Sequence, residues 1–499
     1  MTQAPIENSY WVIPGRFLAD EYPRNHDHES SVAKLQDLTG TGIRVFIDLT
    51  TSLDGLLPYR DILQHLDPQA EHHAFPVPDM GTPLAEATTC DILDEIDSAL
   101  ARGKGVYLHC WGGVGRTGTL VGCWLARHGL TGDAALTKLG ELWTRCPKSR
   151  FREAPETKQQ RDYIVTWKEH QEVDEADMLS RAQGCLMGQL CGDSLGSLVE
   201  FRSANEIRQM YPDGVRELAD GGTFNTLAGQ PTDDSEMALM LARSLAEHGR
   251  FDAGVVREAY RFWLDSNPFD CGNTVRSGLR GTSNHESQAN GALMRISPLG
   301  IFGARKDLWD VAQWASQDAT LTHPHPICRQ ASALFAMALA RAIRTGCSPS
   351  SLYAGMLLWA AHLDAEPALR GALLDAAISP PADFQRQQGW VLIALRNALW
   401  QLLHAQDLEH GVVDTVMRGG DTDTNAAICG SLLGAVQGLE AIPSHWQEKV
   451  LNCRPERRPG VAHPRPEVFW PVDALELARR LMLKDDSSNG SRPEFRPSA

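Results

Sequence analysis

Two short segments rich in aspartate and threonine are the residues of this 499-residue chain best suited to hold metal ions. They are Asp421-Thr422-Asp423-Thr424, preceded by two glycines, and Thr232-Asp233-Asp234-Ser235, and each stands at the start of a helical pattern. Carboxylates and hydroxyls are hard oxygen ligands of the kind that Mg²⁺ and Mn²⁺ prefer. Taken alone, the segment at 232–235 is better explained as a helix N-cap with acids in its first turn. Together the two segments could supply six oxygen ligands to two adjacent divalent ions.

A cysteine and an arginine separated by five residues form a second chemical motif. The stretch Cys110-Trp111-Gly112-Gly113-Val114-Gly115-Arg116-Thr117 follows a strand-like piece and precedes a helical one. Backbone N–H groups in such a glycine-containing loop point inward and favour a bound anion. The same field favours the thiolate of Cys110, which would face a phosphate clamped by Arg116. The alternative is that Cys110 is only a small buried apolar residue, and the complete loop argues against it.

Alternating strands and helices are expected to position the cysteine loop. Strand-like pieces lie at 43–49, 72–77 and 105–108, and helical patterns lie at 90–101 and 119–127. This alternation predicts an α/β unit. From residue 178 to 483 helical patterns dominate, which predicts an all-α unit. Its predicted helices include 234–248, 253–264, 307–317, 327–344, 349–362, 367–377 and 390–405.

Glycines at every fourth position mark two helices of the second unit. They are Gly184, Gly188, Gly192 and Gly196 in the first helix, and Gly430, Gly434 and Gly438 after the acidic segment at 421–424. Each glycine costs up to about 1 kcal/mol of helix propensity, which close approach of another helix can offset. The two bare faces are therefore expected at crowded positions in the core, against each other. The alternative of a membrane-type helix is disfavoured by the interrupting polar residues.

Length and composition predict a soluble, multidomain protein. A chain of 499 residues exceeds what one hydrophobic core usually serves, so we predict domains at 1–174 and 175–483 and a disordered tail at 484–499. The formal net charge of −16 argues against broad nucleic-acid or anionic-membrane binding. There is no signal-peptide pattern and no apolar run long enough to span a membrane. Eleven cysteines without a CxxC pair favour a reducing, cytoplasmic environment.

With its complete cysteine loop, the segment 10–170 resembles the cysteine-dependent phosphatases of the dual-specificity and tyrosine type. The resemblance implies that Cys110 is the nucleophile, that Arg116 binds the transition state and that Thr117 helps the thiol to leave. An acid must protonate the leaving oxygen, and Asp79 in Pro76-Val77-Pro78-Asp79-Met80 matches the position that the family uses. The alternative for Asp79 is a turn residue beside proline. The phosphate would be bound by Trp111, Gly112, Gly113, Val114, Gly115 and Arg116.

The two acidic segments and the first glycine helix resemble the ADP-ribosylglycohydrolases of the dinitrogenase-reductase-activating type, over about 178–445. The resemblance implies two bound metal ions, Mg²⁺ with Mn²⁺ as the alternative. Glu200 matches a glutamate that some members use, with a solvated helix-end carboxylate as an equal alternative. His323 is a weaker match, since a lone histidine is more often structural. The implied metal ligands are Thr232, Asp233, Asp234, Asp421, Asp423 and Thr424, and the implied ADP-ribose contacts are Asn290, Gly291, Ala292 and His323.

The combined expectation is a bifunctional hydrolase. One unit would remove ADP-ribose from a modified protein or small molecule, with two metal ions that activate water and with Asp233, Asp234 or Glu200 handling the proton. The other would hydrolyse a phosphorylated protein or another phosphomonoester through a phosphocysteine intermediate. The alternative is that only one unit is catalytic and the other is a phosphate- or ADP-ribose-binding module.

Overall fold

The computed structural model describes residues 4–169 and 174–483. The predicted disordered tail at 484–499 and the middle of the predicted linker therefore lie outside the described residues. The division into domains near residue 175 stays a prediction. All eleven cysteines have free thiols.

A five-stranded sheet forms the centre of the first part. The strand order is β1-β2-β5-β3-β4, with β1 and β2 antiparallel and the remaining neighbours parallel. The hairpin of β1 and β2 was not predicted from the sequence, because its strands are short and separated by a single tight turn at Gly15. The strands are β1 (Tyr10–Ile13), β2 (Phe17–Asp20), β3 (Ile43–Asp48), β4 (Glu71–Ala74) and β5 (Gly105–His109).

Helices cover both faces of this sheet, which confirms the predicted α/β class. On one face Phe46 packs with Leu35 and Leu63 of the first two helices. On the other face Val45 and Ile47 join the core that the third and fourth helices supply. The fourth helix begins at Gly115 rather than at the predicted Thr119, because its first turn is the end of the cysteine loop. The helices are α1 (His28–Gly40), α2 (Arg60–Leu66), α3 (Glu86–Ala101), α4 (Gly115–Arg127), α5 (Asp133–Trp143) and α6 (Lys158–Thr166).

The described residues from 174 onward form helices and no strands, as predicted. Each of the seven helices named from the sequence is present, with ends that agree within a few residues. These helices are α7 (Glu175–Gly196), α8 (Ala204–Met210), α9 (Asp233–His248), α10 (Ala253–Asp265), α11 (Asn273–Leu279), α12 (Ser297–Gly303), α13 (Leu308–Thr320), α14 (Pro326–Thr345), α15 (Pro349–His362), α16 (Pro367–Ala376), α17 (Val391–His404), α18 (Leu408–Met417), α19 (Thr422–Gln437), α20 (Ser444–Leu451) and α21 (Ala474–Leu481).

The two glycine-spaced helices, α7 and α19, pack directly against each other. A methyl group at Gly188 would overlap the carbonyl of Gly430, and one at Gly192 would overlap the backbone at Ala426. The expectation that the bare faces meet is confirmed. Among the described residues, no helix has the length and apolar character needed to cross a membrane. The close approach of the two backbones explains the glycine spacing.

The two parts of the chain touch through a packed, apolar contact. Helix α15 lies against α3, and the hydrophobic core runs without a break across the contact. The indole Nε1 of Trp359 donates to the backbone oxygen of His128 over 2.8 Å. The His128 ring is itself fully buried, with Nε2 at 3.0 Å from the carboxylate of Asp97.

Candidate active sites

The packing of α7 on α19 brings three acidic segments to one place. Gly196, at the end of α7, has no side chain and lies against the backbone of Thr422 and Asp423. The segment after α7 carries Glu200, and the start of α9 carries Asp233 and Asp234. They line a cavity of about 370 Å³ together with Asp421, Asp423 and Thr424.

Hydrogen bonds between segments lock this acidic cavity. The Thr424 hydroxyl donates to Asp234 Oδ2 over 3.3 Å and thereby joins the two acidic segments. The Thr232 hydroxyl donates to the buried Asp193 over 2.8 Å. Asp193 also accepts from the backbone N–H of Thr232 and of Ser235, so it caps α9 in the way that the sequence suggested for Thr232 itself. Thr232 consequently holds the segment in place and does not line the cavity.

Asp270 belongs to the same site, although no sequence signal singled it out. Single carboxylate oxygens of Glu200, Asp270 and Asp423 lie within 4.8 Å of one another. Asp270 follows a proline-containing turn and does not belong to a recognisable metal-binding motif in the sequence. Its position is set by the turn that precedes α11, where Gly272 N–H donates to Asp233 over 3.3 Å.

The electrostatics of the cavity suit divalent cations. Burial, and then the charges of neighbouring carboxylates, raise the pKa of Asp233, Asp234 and Asp423 well above the ordinary value. Burial, and then Asp270 and other neighbouring acids, raise the pKa of Glu200 to about 9. Within the described part of the chain, Glu200 Oε2 and Asp234 Oδ1 are buried without a hydrogen-bond partner. Buried carboxylates with free oxygens are the donor set that a hard cation requires.

Three of the four residues predicted to contact ADP-ribose line the acidic cavity. Asn290 and Gly291 line the cavity, and Asn290 Nδ2 donates to Asp421 over 2.8 Å. His323 also lines it from behind Gly291, with Nδ1 bonded to the Thr322 hydroxyl at 2.8 Å. Ala292 is buried behind the loop and does not reach the cavity. Arg295 pairs with the buried Asp318 at 3.1 Å and is a structural residue.

The cysteine loop connects the end of β5 to the start of α4. Cys110 is buried, whereas the Trp111 side chain is 56% exposed beside it. Gly113 has φ of +74°, and a side chain there would overlap the backbone of Asp20. Gly115 lies against the ends of the Glu156 and Gln160 side chains, which would have to move to admit a Cβ there. Gly112 and Val114 complete a loop whose curvature depends on its glycines.

Arg116 is held by a residue that the sequence did not reveal. Its guanidinium makes a bidentate pair with Asp54, with distances of 2.7 and 3.0 Å. It also lies 3.1 Å from the carboxylate of Asp79, the predicted acid, whose side chain is 57% exposed. Asp54 is distant in sequence from the loop, and only the turn after β3 brings it there. Thus Arg116 and Asp79 are brought together at the loop.

His109 is a second residue that sequence reasoning missed. Its Nε2 lies 2.7 Å from the Tyr59 hydroxyl, and its Nδ1 lies 3.4 Å from the backbone oxygen of Cys110. Burial lowers the pKa of His109 to about 4, so the ring is neutral near pH 7. The Thr117 hydroxyl donates to the backbone oxygen of Asp20 over 3.3 Å. These bonds fix both ends of the loop around Cys110.

Two family models match the chain. Residues 174–487 match the model described as ADP-ribosylglycohydrolase. Residues 6–163 match the model described as Swiss Army Knife protein, DSP-PTPase phosphatase domain. The predicted resemblances to a dual-specificity phosphatase and to an ADP-ribosylglycohydrolase are confirmed.

Several known proteins are similar to this chain over somewhat more than half of its length. The ADP-ribosyl-[dinitrogen reductase] glycohydrolase of Rhodospirillum rubrum is 32% identical over 313 residues, which cover 59% of this chain and 95% of that protein. The ADP-ribosylarginine hydrolase Tri1 of Serratia proteamaculans is 28% identical, covering 56% of this chain and 78% of that protein. A solved structure described as an ADP-ribosylglycohydrolase-related protein complex matches with a TM-score of 0.51 and 28% identity, covering 62% of this chain and 98% of that one.

Proposed function

The chain belongs to the ADP-ribosylglycohydrolase family, and on that premise we propose that its helical part cleaves the glycosidic bond between ADP-ribose and a modified acceptor. The observation that carries the proposal is the buried acidic cavity, where Glu200, Asp270 and Asp423 converge beside the ligand loop at Asn290. A larger cavity of about 730 Å³ adjoins it and shares Ala289 and Gly389 with it. Together they offer room for a nucleotide whose distal ribose lies at the acids.

The donor set is suited to divalent cations, Mg²⁺ or Mn²⁺. The residues that line the cavity and would hold them are Asp233, Asp234, Asp421, Asp423 and Thr424. Thr232, the sixth residue predicted from the sequence, would instead hold the segment in place through Asp193. When bound, such cations supply Lewis acidity at the ribose and lower the pKa of bound water.

Glu200 is the residue proposed to move the proton. Its Oε2 is buried and has no hydrogen-bond partner among the described residues. Bound cations would lower the raised pKa of Glu200, so that its carboxylate could accept a proton from an attacking water. The backbone of Glu200 is held by the Thr223 hydroxyl, which donates to its carbonyl over 2.9 Å. The water oxygen forms a bond to the anomeric carbon while the bond from that carbon to the acceptor atom breaks, and the acceptor leaves with the proton that Glu200 took from the water.

Release of ADP-ribose from synthetic peptides tests the proposal. Peptides that carry ADP-ribosyl-arginine or ADP-ribosyl-serine are incubated with the full chain, with and without Mg²⁺. We expect metal-dependent release by the wild type and none by Asp423→Ala, with unchanged helical circular dichroism. Persistent release by the purified variant would refute the assignment. A variant of Asp414, an acid paired with Arg418 outside the cavity, serves as the control.

A second activity is proposed for the first part of the chain, namely hydrolysis of phosphate monoesters. The observation that favours it is the complete loop, with buried Cys110 at one end and the fixed guanidinium of Arg116 at the other. The Cys110 thiolate attacks phosphorus, the bond from phosphorus to the ester oxygen breaks, and Asp79 protonates that oxygen. Water then hydrolyses the phosphocysteine.

Hydrolysis of an aryl phosphate tests this second activity. Cys110→Ser should abolish turnover and leave the release of ADP-ribose unchanged. Cys90→Ser, at a half-buried cysteine outside the loop, is the matched control and should retain turnover. Turnover that survives in the Cys110 variant would show that this thiol is not the nucleophile.

A further inference from the structure

A fully buried carboxyl group lies against the cysteine loop. Asp20 ends β2, which is the parallel neighbour of β5, and its side chain has no exposed surface. Gly113 of the loop packs so closely on Asp20 that a Cβ at Gly113 would lie 2.5 Å from the Asp20 carbonyl carbon. The Thr117 hydroxyl donates to the backbone oxygen of Asp20 over 3.3 Å. Asp20 therefore contacts the loop both in its middle and at its end.

The chain that follows this carboxyl group also holds the loop. The N–H of Tyr22 donates to the carbonyl of Trp111 over 3.0 Å. Lys148 donates to the carbonyl of Gly112 over 2.9 Å and pairs with the carboxylate of Glu21. The end of β2 and the cysteine loop are thus joined at several points, so a change of charge at the end of β2 acts directly on the loop.

The hydrogen bonds around Asp20 suit a neutral acid better than a carboxylate. Its Oδ1 is buried without a hydrogen-bond partner among the described residues. Its Oδ2 lies 3.4 Å from the Tyr107 hydroxyl, which is closer to the backbone oxygen of Glu21, at 2.7 Å. Because a phenol has a single proton, Tyr107 donates to Glu21, and its oxygen is left to accept a hydrogen bond from a protonated Asp20. A buried carboxylate with so few donors is costly, which favours the protonated form.

The charged neighbours of Asp20 act in the same direction. Burial, and then the negative charge of Glu21, raise the pKa of Asp20 to about 7. Lys34, the backbone N–H of Glu21 and Lys148 oppose this shift, but both lysine amines pair with Glu21. Asp20 therefore changes its charge near pH 7.

The other titratable side chains around Asp20 are uncharged near pH 7. His109, its partner in the sheet, is neutral because burial lowers the pKa of that ring to about 4. Burial first, together with negative neighbours that include Asp20, raises the pKa of two tyrosines and one cysteine, so each keeps its proton. These three residues are Tyr10, Tyr107 and Cys146.

An anion in the loop and a negative charge on Asp20 oppose each other. Two like charges in a buried region repel strongly, because little water screens them. A bound oxyanion would therefore raise the affinity of Asp20 for its proton, and an ionised Asp20 would weaken the hold of the loop on the anion. The same repulsion acts on the thiolate of Cys110.

We propose that Asp20 is a positioning residue of the cysteine loop, and that the loop takes up its oxyanion together with a proton on the Asp20 carboxyl group. This inference rests on the proposed phosphatase function. Asp20 acts through the loop, which it contacts with its backbone, and not on the phosphate itself. In its neutral form it leaves the attraction of Arg116 and the backbone N–H groups for the anion unopposed.

Sulfate binding to the full chain tests this coupling. Sulfate stays a dianion throughout the neutral pH range, and Cys110→Ser removes the ionisation of the thiol. Between about pH 6 and about pH 8, where Asp20 loses its proton, we expect the sulfate affinity of Cys110→Ser, measured by calorimetry, to fall by about three- to tenfold. When Asp20→Asn is added, the fall should be less than about twofold. Asp94→Asn, at an acid paired with Arg127 outside the loop, is the matched control and should leave the fall as it is.

Proton uptake gives a second measurement that needs no change at Asp20. Calorimetry in two buffers of different ionisation enthalpy should show that sulfate binding to Cys110→Ser takes up a fraction of a proton slightly above pH 7. An absence of proton uptake, an equal pH dependence with and without Asp20→Asn, or a loss of sulfate binding in the Asp20 variant at every pH would overturn the proposed coupling. Proton-coupled sulfate binding in a chain whose wild type hydrolyses no aryl phosphate would refute the phosphatase activity alone and leave the coupling in place.

Discussion

The hydroxyl of Thr424 lies 3.3 Å from the carboxylate of Asp234, although the two residues are 190 positions apart in the chain. This bond joins the start of α19 to the start of α9. It can form because the glycine faces of α7 and α19 allow their backbones to approach. The two acidic segments therefore depend on one packing arrangement.

Removing that hydroxyl should weaken cation binding. For Thr424→Val we expect the affinity for Mn²⁺ or Mg²⁺, measured by calorimetry, to fall by roughly 10- to 100-fold, because the cation loses a proposed hydroxyl ligand and Asp234 loses its link to the second segment. Thr424→Ser keeps the hydroxyl and should retain most of the affinity. Equal affinity of the valine variant and the wild type would contradict the role given to this bond.

Filling the glycine contact should destabilise the helical part. Gly188→Ala places a methyl group on the carbonyl of Gly430, so we expect the free energy of unfolding to fall by about 1–3 kcal/mol or more. Gly371→Ala is the matched control, because nothing lies within 4 Å of a Cβ there. That helical substitution should be stabilising by about 0.5–1 kcal/mol. Urea unfolding measures the free energy of unfolding of both variants. A Gly188 variant as stable as the wild type would disprove the tight contact.

Asp54 should be needed to orient Arg116. Burial alone would raise the pKa of Asp54. The hydrogen bonds from Arg116 and from Thr51 outweigh burial and hold the pKa below the ordinary value. For Asp54→Ala we expect kcat/KM on an aryl phosphate to fall at least about tenfold, since the buried guanidinium loses its bidentate partner. Asp94→Ala is the control, an acid paired with Arg127 outside the loop. Wild-type activity in the Asp54 variant would refute the positioning role.

Stability should fall in mild acid because of His128. Burial lowers the pKa of His128 to about 4, although Asp97 opposes the shift. The folded protein therefore keeps this ring neutral, while the unfolded chain protonates it below about pH 6.5. Since the unfolded state binds more protons, the free energy of unfolding falls between about pH 6.5 and about pH 4, by at most about 1.4 kcal/mol per pH unit for this residue.

Substitution of His128 tests whether this residue causes the loss of stability in acid. In His128→Gln the loss of unfolding free energy between about pH 7 and about pH 5 should be smaller than in the wild type. His445→Gln, at a half-exposed histidine far from this contact in sequence, is the control substitution. An identical pH slope in the His128 variant would show that another group causes the acid sensitivity.

Residues that are close in sequence were predictable from it. The loop from Cys110 to Arg116 connects one strand to the next helix. Its glycines, Cys110 and Arg116 therefore lie within one short stretch of sequence and can be recognised there. The acidic segments at 232–235 and 421–424 are likewise local. The glycine spacing of α7 and α19 even predicted their contact, because only another backbone compensates for so many missing side chains.

Residues placed by long-range contacts were decided only by the tertiary structure. Asp270 joins the acids and Asp54 holds Arg116 because turns distant in sequence bring them there. Neither belongs to a periodic pattern or a spaced motif, since an isolated aspartate in a loop has no sequence signal of its own. The sequence by itself determined which chemistries the chain carries. The packing of α7 on α19, and of the turn after β3 on the cysteine loop, decided which side chains complete each site.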